Sequence, residues 1–373
     1  MKKAWLILQK IWLTEISHRS WSIVTISVAG TIVLGAALIA FIVDPHYRYR
    51  EPFFYDMVYY EIYATAPHIL QYQDYDLLML GTSMTRNFFL EDIDAVFDCR
   101  SVKLAASGGT TTDLCKFFDV AKKNKGDKLK QVIWSLDIYP LNKQGDHYSN
   151  FSYMYNDHHR EDYRYLFSRK TFSSMIYLIK RKNSPKRQRP YQHIRNRMFA
   201  TEYPGKPYGL DAVMADALGN EKTHHTQTPY NPVQHQKNFY GHLLPIFDQN
   251  PDCKFIVYLA PYHIYTYCQS ELFGEADALI KQRTEVMLEL LKRSNVELHD
   301  FQADREFVEN HSFFSDVQHF SNPAARKLLN DLKSTRRKIT TAEQVRRNEQ
   351  ELRELIRKNM PEYTRNINKL KGI

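Results

Sequence analysis

The residues best suited to chemistry are a serine near the start of the main part of the chain and an aspartate–histidine pair near its end. Ser83 lies in LGTSMTRN, directly after an apolar run, where a tight turn can expose a hydroxyl at a helix N-terminus. Asp316 and His319 lie three residues apart in FFSDVQHFSNPAARKLL. A serine nucleophile needs a base for its proton, and that base needs an acceptor on its other ring nitrogen. These residues therefore predict nucleophilic catalysis, although a serine after a strand is also a common helix N-cap.

Apolar runs that alternate with helical patterns predict the elements that position these residues. Continuous apolar runs, typical of buried parallel strands, occur at 75–81, 101–106, 131–139, 254–261 and 296–301. Helices are predicted at about 112–125, 171–182 and 275–293, and a last one begins near Asn322. The alternation predicts an α/β fold, a doubly wound parallel sheet in a three-layer α/β/α arrangement. In flavodoxin-like strand order, ligands bind beside the end of the first strand, where Ser83 lies.

Residues 21–43 contain no charged side chain and predict one N-terminal transmembrane helix. A helix of this length reaches about 34 Å, enough for a hydrocarbon core of about 30 Å. A buried core helix and a cleaved signal peptide are the alternatives. The preceding flank is the more basic one, so we expect a cytoplasmic N-terminus, an extracytoplasmic main domain and a location in the cell membrane. Within the cytoplasmic or interfacial segment 1–20, residues 4–16 predict a short helix at headgroup depth.

Composition predicts three further parts of the chain. A Tyr-rich juxtamembrane segment covers 44–73, the α/β domain covers 74–332 with an insertion at about 140–250, and a basic helical tail covers 333–373. The net charge is +9, and residues 331–373 contain 12 Lys or Arg against 6 Asp or Glu. No recognised nucleic-acid motif organises this charge, so we expect no nucleic-acid partner. Contact of the tail with anionic lipid or wall polymer and a simple solvated helix are the alternatives.

The cysteines all follow the predicted span; they are Cys99, Cys115, Cys253 and Cys268. Export would permit at least one disulfide, and Cys253 with Cys268 is the better local pair. Buried free thiols are the alternative. Because the chain has neither a CxxC motif nor a paired Cys/His cluster, we expect no zinc site and no other metal.

Three motifs taken in order resemble the SGNH/GDSL hydrolase superfamily over residues 74–332. They are LGTSMT after the first strand, SGG after the second and DVQH before the last helix. The chain is most similar to the membrane-anchored extracytoplasmic branch, which includes the D-alanine transfer protein of teichoic acid modification and proteins that acetylate alginate and other exopolysaccharides. The resemblance implies that Ser83 is the nucleophile, His319 the general base and acid, and Asp316 its orienting partner. Thr82 stands where soluble members commonly have Asp.

The resemblance also implies an oxyanion hole, and here the chain departs from the family pattern. Backbone N–H groups of Ser83 and of Gly108 or Gly109 would donate to the developing oxyanion. The family's third block has an Asn donor at the end of the third strand, where this chain has Asp137. An ionised aspartate cannot donate a hydrogen bond. Either Asp137 is protonated, or Asn142 or another group substitutes, or the hole has two donors and turnover is slow.

Other histidines and aromatic residues are weaker candidates. His263, in LAPYHIY beyond the fourth strand, lines the predicted site as a substrate-binding residue or is a structural histidine. Two histidine doublets lack the carboxylate or cysteine spacing of a metal site. They are His158 with His159 and His224 with His225. The Tyr- and His-rich stretch 147–165 stacks on sugar rings or packs against the sheet.

Together these features predict an extracytoplasmic serine O-acyltransferase or esterase that modifies a cell-envelope polysaccharide or teichoic acid through an acyl-serine intermediate, without a cofactor. One span cannot move an activated acyl group across a bilayer, so the resemblance implies a membrane-bound O-acyltransferase partner besides the membrane lipid. The alternative is a catalytically silent SGNH-fold protein that binds glycan or scaffolds an envelope assembly. A basic polymer-binding adaptor is a second alternative.

Overall fold

The computed structural model describes residues 17–55, 61–182, 207–223 and 229–372. The predicted helix at 4–16 and the doublet His224–His225 lie outside these ranges. The chain forms two compact units, one of residues 1–52 with 157–188 and the other of residues 53–156 with 189–373.

The described residues form α-helices, one six-stranded sheet and several shorter helical turns. In chain order the helices are α1 His18–Val43, α2 Ile62–Tyr72, α3 Leu90–Phe97, α4 Thr111–Lys125, α5 Asp162–Leu166, α6 Arg169–Lys182, α7 Leu210–Thr223, α8 Pro232–His235, α9 Leu244–Asp248, α10 Ile264–Leu272, α11 Ala276–Leu290, α12 Arg305–Val308, α13 Asn322–Lys333 and α14 Ala342–Lys371. The strands are β1 Leu77–Thr82, β2 Ser101–Ala106, β3 Gln131–Leu136, β4 Lys254–Leu259, β5 Val296–Asp300 and β6 Lys338–Ile339.

The smaller unit contains α1, which is long and apolar enough to span a membrane. Ala40 is its sole buried residue, and apolar side chains such as Ile26 and Leu34 are each 71% exposed. A core helix of a soluble protein would bury one face. The exposure of α1 therefore excludes the buried-core interpretation. The same unit contains α5 and α6.

The larger unit is built on the sheet, whose strand order is β2-β1-β3-β4-β5-β6. The first five strands pair in parallel, and β6 pairs antiparallel with β5. All six residues of both β1 and β2 are buried, as expected of strands that are covered on both faces. The apolar character of β1 is continuous, whereas β2 also buries Ser101 and Lys103. The predicted mixed α/β fold with a mostly parallel sheet is thus confirmed. The strand order reverses between β1 and β3, so the carboxyl end of β1 lies at that reversal.

Aromatic rings fill much of the core beside β3 and β4. The Phe118 ring lies 5.5 Å from the ring of Phe255, which in turn lies 4.8 Å edge-on from that of Phe247. The fully buried Trp134 packs 5.9 Å from Phe247 in a T-shaped pair. Such edge-to-face contacts stabilise aromatic pairs by about 0.5–1.5 kcal/mol beyond the area that they bury. This cluster supports the two strands at the centre of the sheet.

The predicted juxtamembrane segment 44–73 contains a helix that sequence analysis missed. Nine consecutive residues of α2, from Ile62 to Leu70, are buried, including Pro67 inside the helix. A helix covered all round lacks the polar face that gives amphipathic helices their sequence periodicity. The segment is therefore a core element of the sheet unit for this part of its length.

The C-terminal segment 333–373 is helical, as predicted, but it is not a separate tail. β6 extends the sheet, and α14 buries one face, which consists of Val345, Asn348, Leu352, Leu355, Ile356, Tyr363 and Ile367. Asn348 donates to the buried Asp300 at the end of β5 at 2.7 Å, and Tyr363 donates to Glu221 of α7 at 2.8 Å. The predicted boundary at residue 332 thus falls inside the sheet unit. Several basic residues of α14 also pair with this unit: Arg353 contacts Asp277 of α11 at 2.9 Å, and Lys358 contacts Glu309 at 2.8 Å.

The prediction of a disulfide is wrong, because all four cysteines are free thiols. Cys253 directly precedes β4, and Cys268 follows it on α10. A six-residue strand extends about 20 Å, so β4 separates the two thiols of the predicted pair. Burial raises the pKa of Cys253 to about 11 and that of Cys268 to about 12, which disfavours their reactive thiolate forms.

Candidate active site

The end of β1 presents Ser83 on a tight turn. β1 ends at Thr82, and Ser83–Thr85 form one turn of 3₁₀ helix, in which the Thr85 hydroxyl donates to the Thr82 carbonyl at 2.9 Å. A Cβ at Gly81 would lie 2.3 Å from Thr85 Cγ2 and 2.7 Å from Ser135 Cβ. Only glycine therefore fits, because the turn folds back directly over the strand. The Ser83 side chain is left half-buried beyond the strand end.

The second part of the site is a closed loop before α13. The Asp316 carboxylate accepts from the backbone N–H groups of Gln318 at 2.9 Å and His319 at 2.7 Å. The Ser315 N–H donates to the His319 carbonyl at 2.9 Å, which closes the loop from the other side. These bonds fold residues 316–319 into one turn. The spacing of three residues therefore brings the carboxylate and the imidazole together.

The structure joins the three residues in one hydrogen-bonded chain. His319 Nδ1 lies 2.9 Å from Asp316 Oδ2 and 3.0 Å from Oδ1, and His319 Nε2 lies 2.7 Å from Ser83 Oγ. A carboxylate accepts only, so it assigns the proton to Nδ1 and leaves Nε2 to accept from the serine hydroxyl. Burial alone would raise the pKa of Asp316, but hydrogen bonds from the side chain and backbone of His319 hold it well below its usual range.

Two asparagines that sequence analysis missed clasp the serine turn to the histidine loop. Asn87 Nδ2 donates to the Phe320 carbonyl at 2.5 Å, and Asn322 Nδ2 donates to the Asn87 carbonyl at 2.9 Å. Both side chains are buried. Asn87 lies four residues after Ser83, and Asn322 three after His319, but this proximity in sequence does not reveal which carbonyls they bind. The clasp holds Ser83 and His319 in register.

Further contacts support the loop at Val317. The Val317 carbonyl accepts from the His263 N–H at 3.0 Å and the Thr266 hydroxyl at 2.5 Å, and its N–H donates to Asp216 at 3.3 Å. Burial and the nearby Asp316 carboxylate raise the pKa of Asp216. Asp216 and Thr266 lie in helical sequence without a recognisable motif, so no signal in the chain pointed to them.

The two glycines after β2 differ in their backbone donors. The Gly109 N–H donates to the Ala106 carbonyl at 2.8 Å, and a Cβ at Gly109 would lie 2.7 Å from Ala106 Cβ. Gly108 adopts a left-handed φ of 68°, and no acceptor for its N–H occurs among the described residues. Gly109 therefore closes the turn and is excluded as an oxyanion donor. Gly108 and the first N–H of the 3₁₀ turn, that of Ser83, are the available backbone donors.

Asp137, which follows β3, accepts hydrogen bonds on both carboxyl oxygens. The Thr82 hydroxyl donates to Oδ2, and the Tyr262 hydroxyl donates to Oδ1 at 2.8 Å. Burial raises the pKa of Asp137, and these two hydrogen bonds offset part of that effect. The two departures from the family pattern, Thr82 and Asp137, thus contact each other. In this arrangement Asp137 is an acceptor and not an oxyanion donor.

Asn142 does not substitute for the missing donor. Its Nδ2 donates to Gln282 at 2.9 Å, and its Oδ1 accepts from Gln282 Nε2 and from the Asn231 N–H, both at 3.1 Å. The side chain is buried, so this amide crosslinks three segments of the sheet unit. These contacts do not favour the alternative that places Asn142 in the oxyanion hole.

The remaining histidine and aromatic candidates have structural contacts. His263 is fully buried; its Nε2 lies 2.8 Å from His311 Nδ1, and its Nδ1 accepts from the Tyr265 N–H at 3.1 Å. Both ring nitrogens are thus engaged within the protein, which favours the structural alternative for His263. His159 lies 2.8 Å from Asp162, and the stretch 147–165 is divided between the two units. No group of three or more potential metal ligands occurs in the parts of the chain that the structure describes.

No protein-family model matches this chain, and no curated protein matches it either. What the site can do follows from its geometry. A hydroxyl that donates to a neutral imidazole, whose other nitrogen is held by a carboxylate, has a base within reach and a stabilised imidazolium after proton transfer. The geometry is therefore compatible with proton transfer from Ser83 to His319.

Proposed function

We propose that this protein is a serine O-acyltransferase or esterase that modifies a cell-envelope polysaccharide or teichoic acid from the extracytoplasmic side of the membrane. The observation that carries the proposal is the hydrogen-bonded chain Ser83–His319–Asp316, since Ser83 and His319 lie 236 positions apart in the sequence. Two residues so distant in sequence would rarely meet by chance in a geometry in which both imidazole nitrogens have hydrogen-bond partners. The strand order, with Ser83 at its reversal, supports a three-layer arrangement similar to the SGNH superfamily.

In the proposed reaction Ser83 Oγ attacks the acyl carbonyl of an ester donor while His319 Nε2 takes the hydroxyl proton. The tetrahedral intermediate collapses when His319 returns this proton to the departing alcohol, which leaves an acyl-serine. A hydroxyl of the glycan or teichoic acid, or water in an esterase, then attacks the acyl-serine and gives its proton to His319, which returns the proton to Ser83 Oγ as the bond between Ser83 and the acyl group breaks. Asp316 orients the imidazole and stabilises its charged form throughout. The reaction calls for no cofactor.

The proposed oxyanion hole has two backbone donors, from Ser83 and Gly108. Loss of one donor costs about 10²–10³-fold in turnover in a serine hydrolase. Because Asp137 accepts hydrogen bonds where the family has a donor, we expect slower turnover than from a site with three donors. The same observation favours a second candidate function, a catalytically silent glycan-binding or scaffold protein of the SGNH fold.

Placement in the envelope rests on α1 and on the charge of the segments that flank it. Lys2, Lys3, Lys10 and Arg19 precede the helix, which favours a cytoplasmic N-terminus. A membrane-bound O-acyltransferase that supplies the acyl group from the other side is part of the proposal. An alkaline phosphatase fused after Ile373 should be active, and activity of a cytoplasmic reporter alone at this position contradicts the orientation.

A fluorophosphonate probe on the full chain in detergent tests the chemistry. The wild type should be labelled, Ser83→Ala should not, and Ser107→Ala is a matched control because it removes a serine after the neighbouring strand β2. Hydrolysis of an aryl acetate should follow the same order. Equal labelling or turnover of the wild type and Ser83→Ala overturns the serine mechanism. A folded wild type that neither reacts with the probe nor turns over, yet retains glycan, favours the silent binding protein.

A further inference from the structure

The residues directly after α1 form a hydrogen-bonded turn. Asp44 ends the helix in a left-handed conformation, with φ 45°, and its carboxylate accepts from the N–H groups of Arg48 and Tyr49, both at 2.8 Å. The Arg50 guanidinium donates to the carbonyls of Phe41 and Ile42 at 2.8 and 2.7 Å. It therefore satisfies acceptors that the last turn of a helix leaves free. The chain does not leave α1 as a flexible linker.

Two helices from a distant part of the sequence are tied to this turn. Arg48 contacts Asp162 of α5 at 3.1 Å and donates to the His158 carbonyl at 2.9 Å. His46 Nε2 lies 2.8 Å from the Ser174 hydroxyl of α6, and the Tyr165 hydroxyl donates to Asp44 at 2.7 Å. Arg48 and Asp162 are both mostly buried. We call residues 44–50 with α5 and α6 the α1 collar.

The collar exposes apolar side chains although it is small. Ile176 and Ile179 of α6 are 54% and 62% exposed, and Tyr163 and Phe167 are 61% and 46% exposed. Ser174 and Met175 of the same helix are buried, so Ile176 and Ile179 lie outside the part of α6 that packs within the unit. A helix that faced water would place its polar side chains outward. Ile176 and Ile179 lie about one turn apart on α6, and exposed apolar neighbours of this kind mark a contact surface.

Charge and aromatic rings define what this surface contacts. α6 has Lys or Arg at positions 169, 170 and 180–182 and contains no Asp or Glu, so cations flank an apolar middle. The Phe41 ring lies 4.7 Å from that of Tyr49, which lies 5.8 Å from that of Tyr165, at the level where α1 ends. Aromatic rings concentrate where a spanning helix leaves the hydrocarbon, and basic amphipathic helices bind headgroups there.

We propose that α6 lies on the bilayer surface at the C-terminal end of α1, with Ile176 and Ile179 in the acyl boundary and its terminal cations on anionic headgroups. The proposal rests on the spanning of a membrane by α1, which is part of the proposed function, and on neither the catalytic chemistry nor the orientation of the chain. The collar must lie close to the bilayer, because its hydrogen bonds fix it to the end of α1. The smaller unit is then held at the bilayer at two points, α1 and α6.

Spin labels on the full chain in nanodiscs of phosphatidylethanolamine and phosphatidylglycerol test this contact. One label replaces Ile176, a control replaces Val233, which is an exposed aliphatic residue of the sheet unit at 72% exposure, and a third replaces Ile32 inside α1. Cys99→Ser serves as the background, because the other three cysteines are buried. Collision rates with oxygen, which partitions into lipid, and with a water-soluble nickel chelate are compared.

We expect the oxygen-to-nickel ratio to be several-fold higher at Ile176→Cys and Ile32→Cys than at Val233→Cys. A label at position 176 that matches the one at 233 while the one at 32 is in lipid overturns the surface contact and leaves the anchor intact. A label at 176 that is immobilised but shielded from both reagents indicates a protein partner and also overturns it. Nickel access at position 32 contradicts the membrane span itself. Loss of fluorophosphonate labelling has no bearing on any of these outcomes.

Discussion

Two histidines of the sheet unit are held by an aspartate in nearly the same way. His319 Nδ1 lies 2.9 Å from Asp316, and His147 Nδ1 lies 2.8 Å from Asp113. In the first pair, the other ring nitrogen accepts from the Ser83 hydroxyl at 2.7 Å. In the second, no hydroxyl reaches His147 Nε2 among the residues that the structure describes, and the half-exposed ring stacks on Tyr63 at 5.0 Å.

The difference extends to what each carboxylate does. Asp113 forms the capping box of α4 with Thr110 and also accepts from the backbone N–H groups of His147 and Tyr148 at 2.7 and 3.1 Å. It therefore connects a helix terminus to the segment after β3. Asp316 makes its backbone contacts within its own loop. Two aspartate–histidine pairs of similar geometry thus differ in the third partner, which is the Ser83 hydroxyl for His319 and the Tyr63 ring for His147.

The largest expected effect separates the two histidines. His319→Ala should lower aryl acetate turnover at least about 10³-fold, because the proton of Ser83 then has no acceptor, and adding Ser83→Ala should lower it little further. His147→Ala should retain turnover close to that of the wild type. Steady-state kinetics on variants checked for folding by circular dichroism measure this. If His147→Ala loses as much activity as His319→Ala, the comparison fails.

The two aspartates should differ as the two histidines do, with Asp316 needed for turnover and Asp113 for stability. Asp316→Asn should reduce kcat by up to about 10⁴-fold, since an amide can reverse the imidazole tautomer. Asp113→Asn should mainly destabilise the fold, by about 1–3 kcal/mol, because a buried acceptor of several backbone and side-chain donors is lost. Steady-state kinetics and thermal unfolding of both variants measure the loss of kcat and the loss of stability separately. A destabilised Asp316→Asn with unchanged kcat would falsify the catalytic assignment.

The asparagine clasp should have an intermediate effect. Asn87→Ala leaves the buried Phe320 carbonyl without its donor and loosens the register of Ser83 with His319, so kcat should fall while KM changes little. Asn124→Ala is the control, because its amide also donates to a backbone carbonyl, that of Val120, but on α4. Both should lower stability by about 1–3 kcal/mol or less. If the two variants lose kcat equally, the clasp stabilises the fold and has no specific effect on the register of Ser83 with His319.

The smallest effects concern pH, and they should have opposite signs at the two carboxylates near Ser83. The pKa of Asp316 is lowered from 3.8, so its contribution to stability is present above that pH and is lost as the pH falls further. The pKa of Asp137 is raised from 3.8, so its contribution is greatest below that pH and declines as the pH rises toward the folded-state pKa. The effect at Asp316 should be on the order of 2 kcal/mol.

Melting temperatures of the wild type, Asp316→Asn and Asp137→Asn across acidic to neutral pH measure these contributions. The difference between the wild type and Asp316→Asn should shrink toward acidic pH, while Asp137→Asn should gain relative to the wild type toward neutral pH. Parallel curves for all three proteins contradict both assignments.

Much of the sheet could be predicted because each strand contains its own signal. The second strand was predicted at its observed bounds, and the other four long strands within a few residues. β6, which pairs with β5, has only two residues, Lys338 and Ile339. It is too short to form an apolar run from which a strand could be predicted. The burial of α14 was likewise undetermined in sequence, because its amphipathic pattern indicates a buried face without naming the surface that covers it.

The candidate site residues also divide into those that a local sequence pattern indicates and those that it does not. Ser83, Asp316 and His319 were found because their residue types and order carry chemistry, and the structure brings them together. Two of the alternatives for the oxyanion hole do not fit the observed contacts, because the Asn142 amide donates to Gln282, 140 positions away, and the Gly109 N–H closes a local turn. The asparagine clasp escaped notice because its acceptors are backbone carbonyls, which every residue has.

The sequence by itself determined the apolar character of α1, the buried strands, the glycine at position 81 and the local pairing of Asp316 with His319. These depend on side-chain type and short spacing, which act within one element. Only the tertiary structure decided that His319 Nε2 lies within hydrogen-bonding distance of the Ser83 hydroxyl, that Asp137 accepts from Thr82, and that α5 and α6 bind the end of α1. Such contacts join residues more than fifty positions apart, and the packing of whole elements, which no local pattern encodes, brings them within hydrogen-bonding distance.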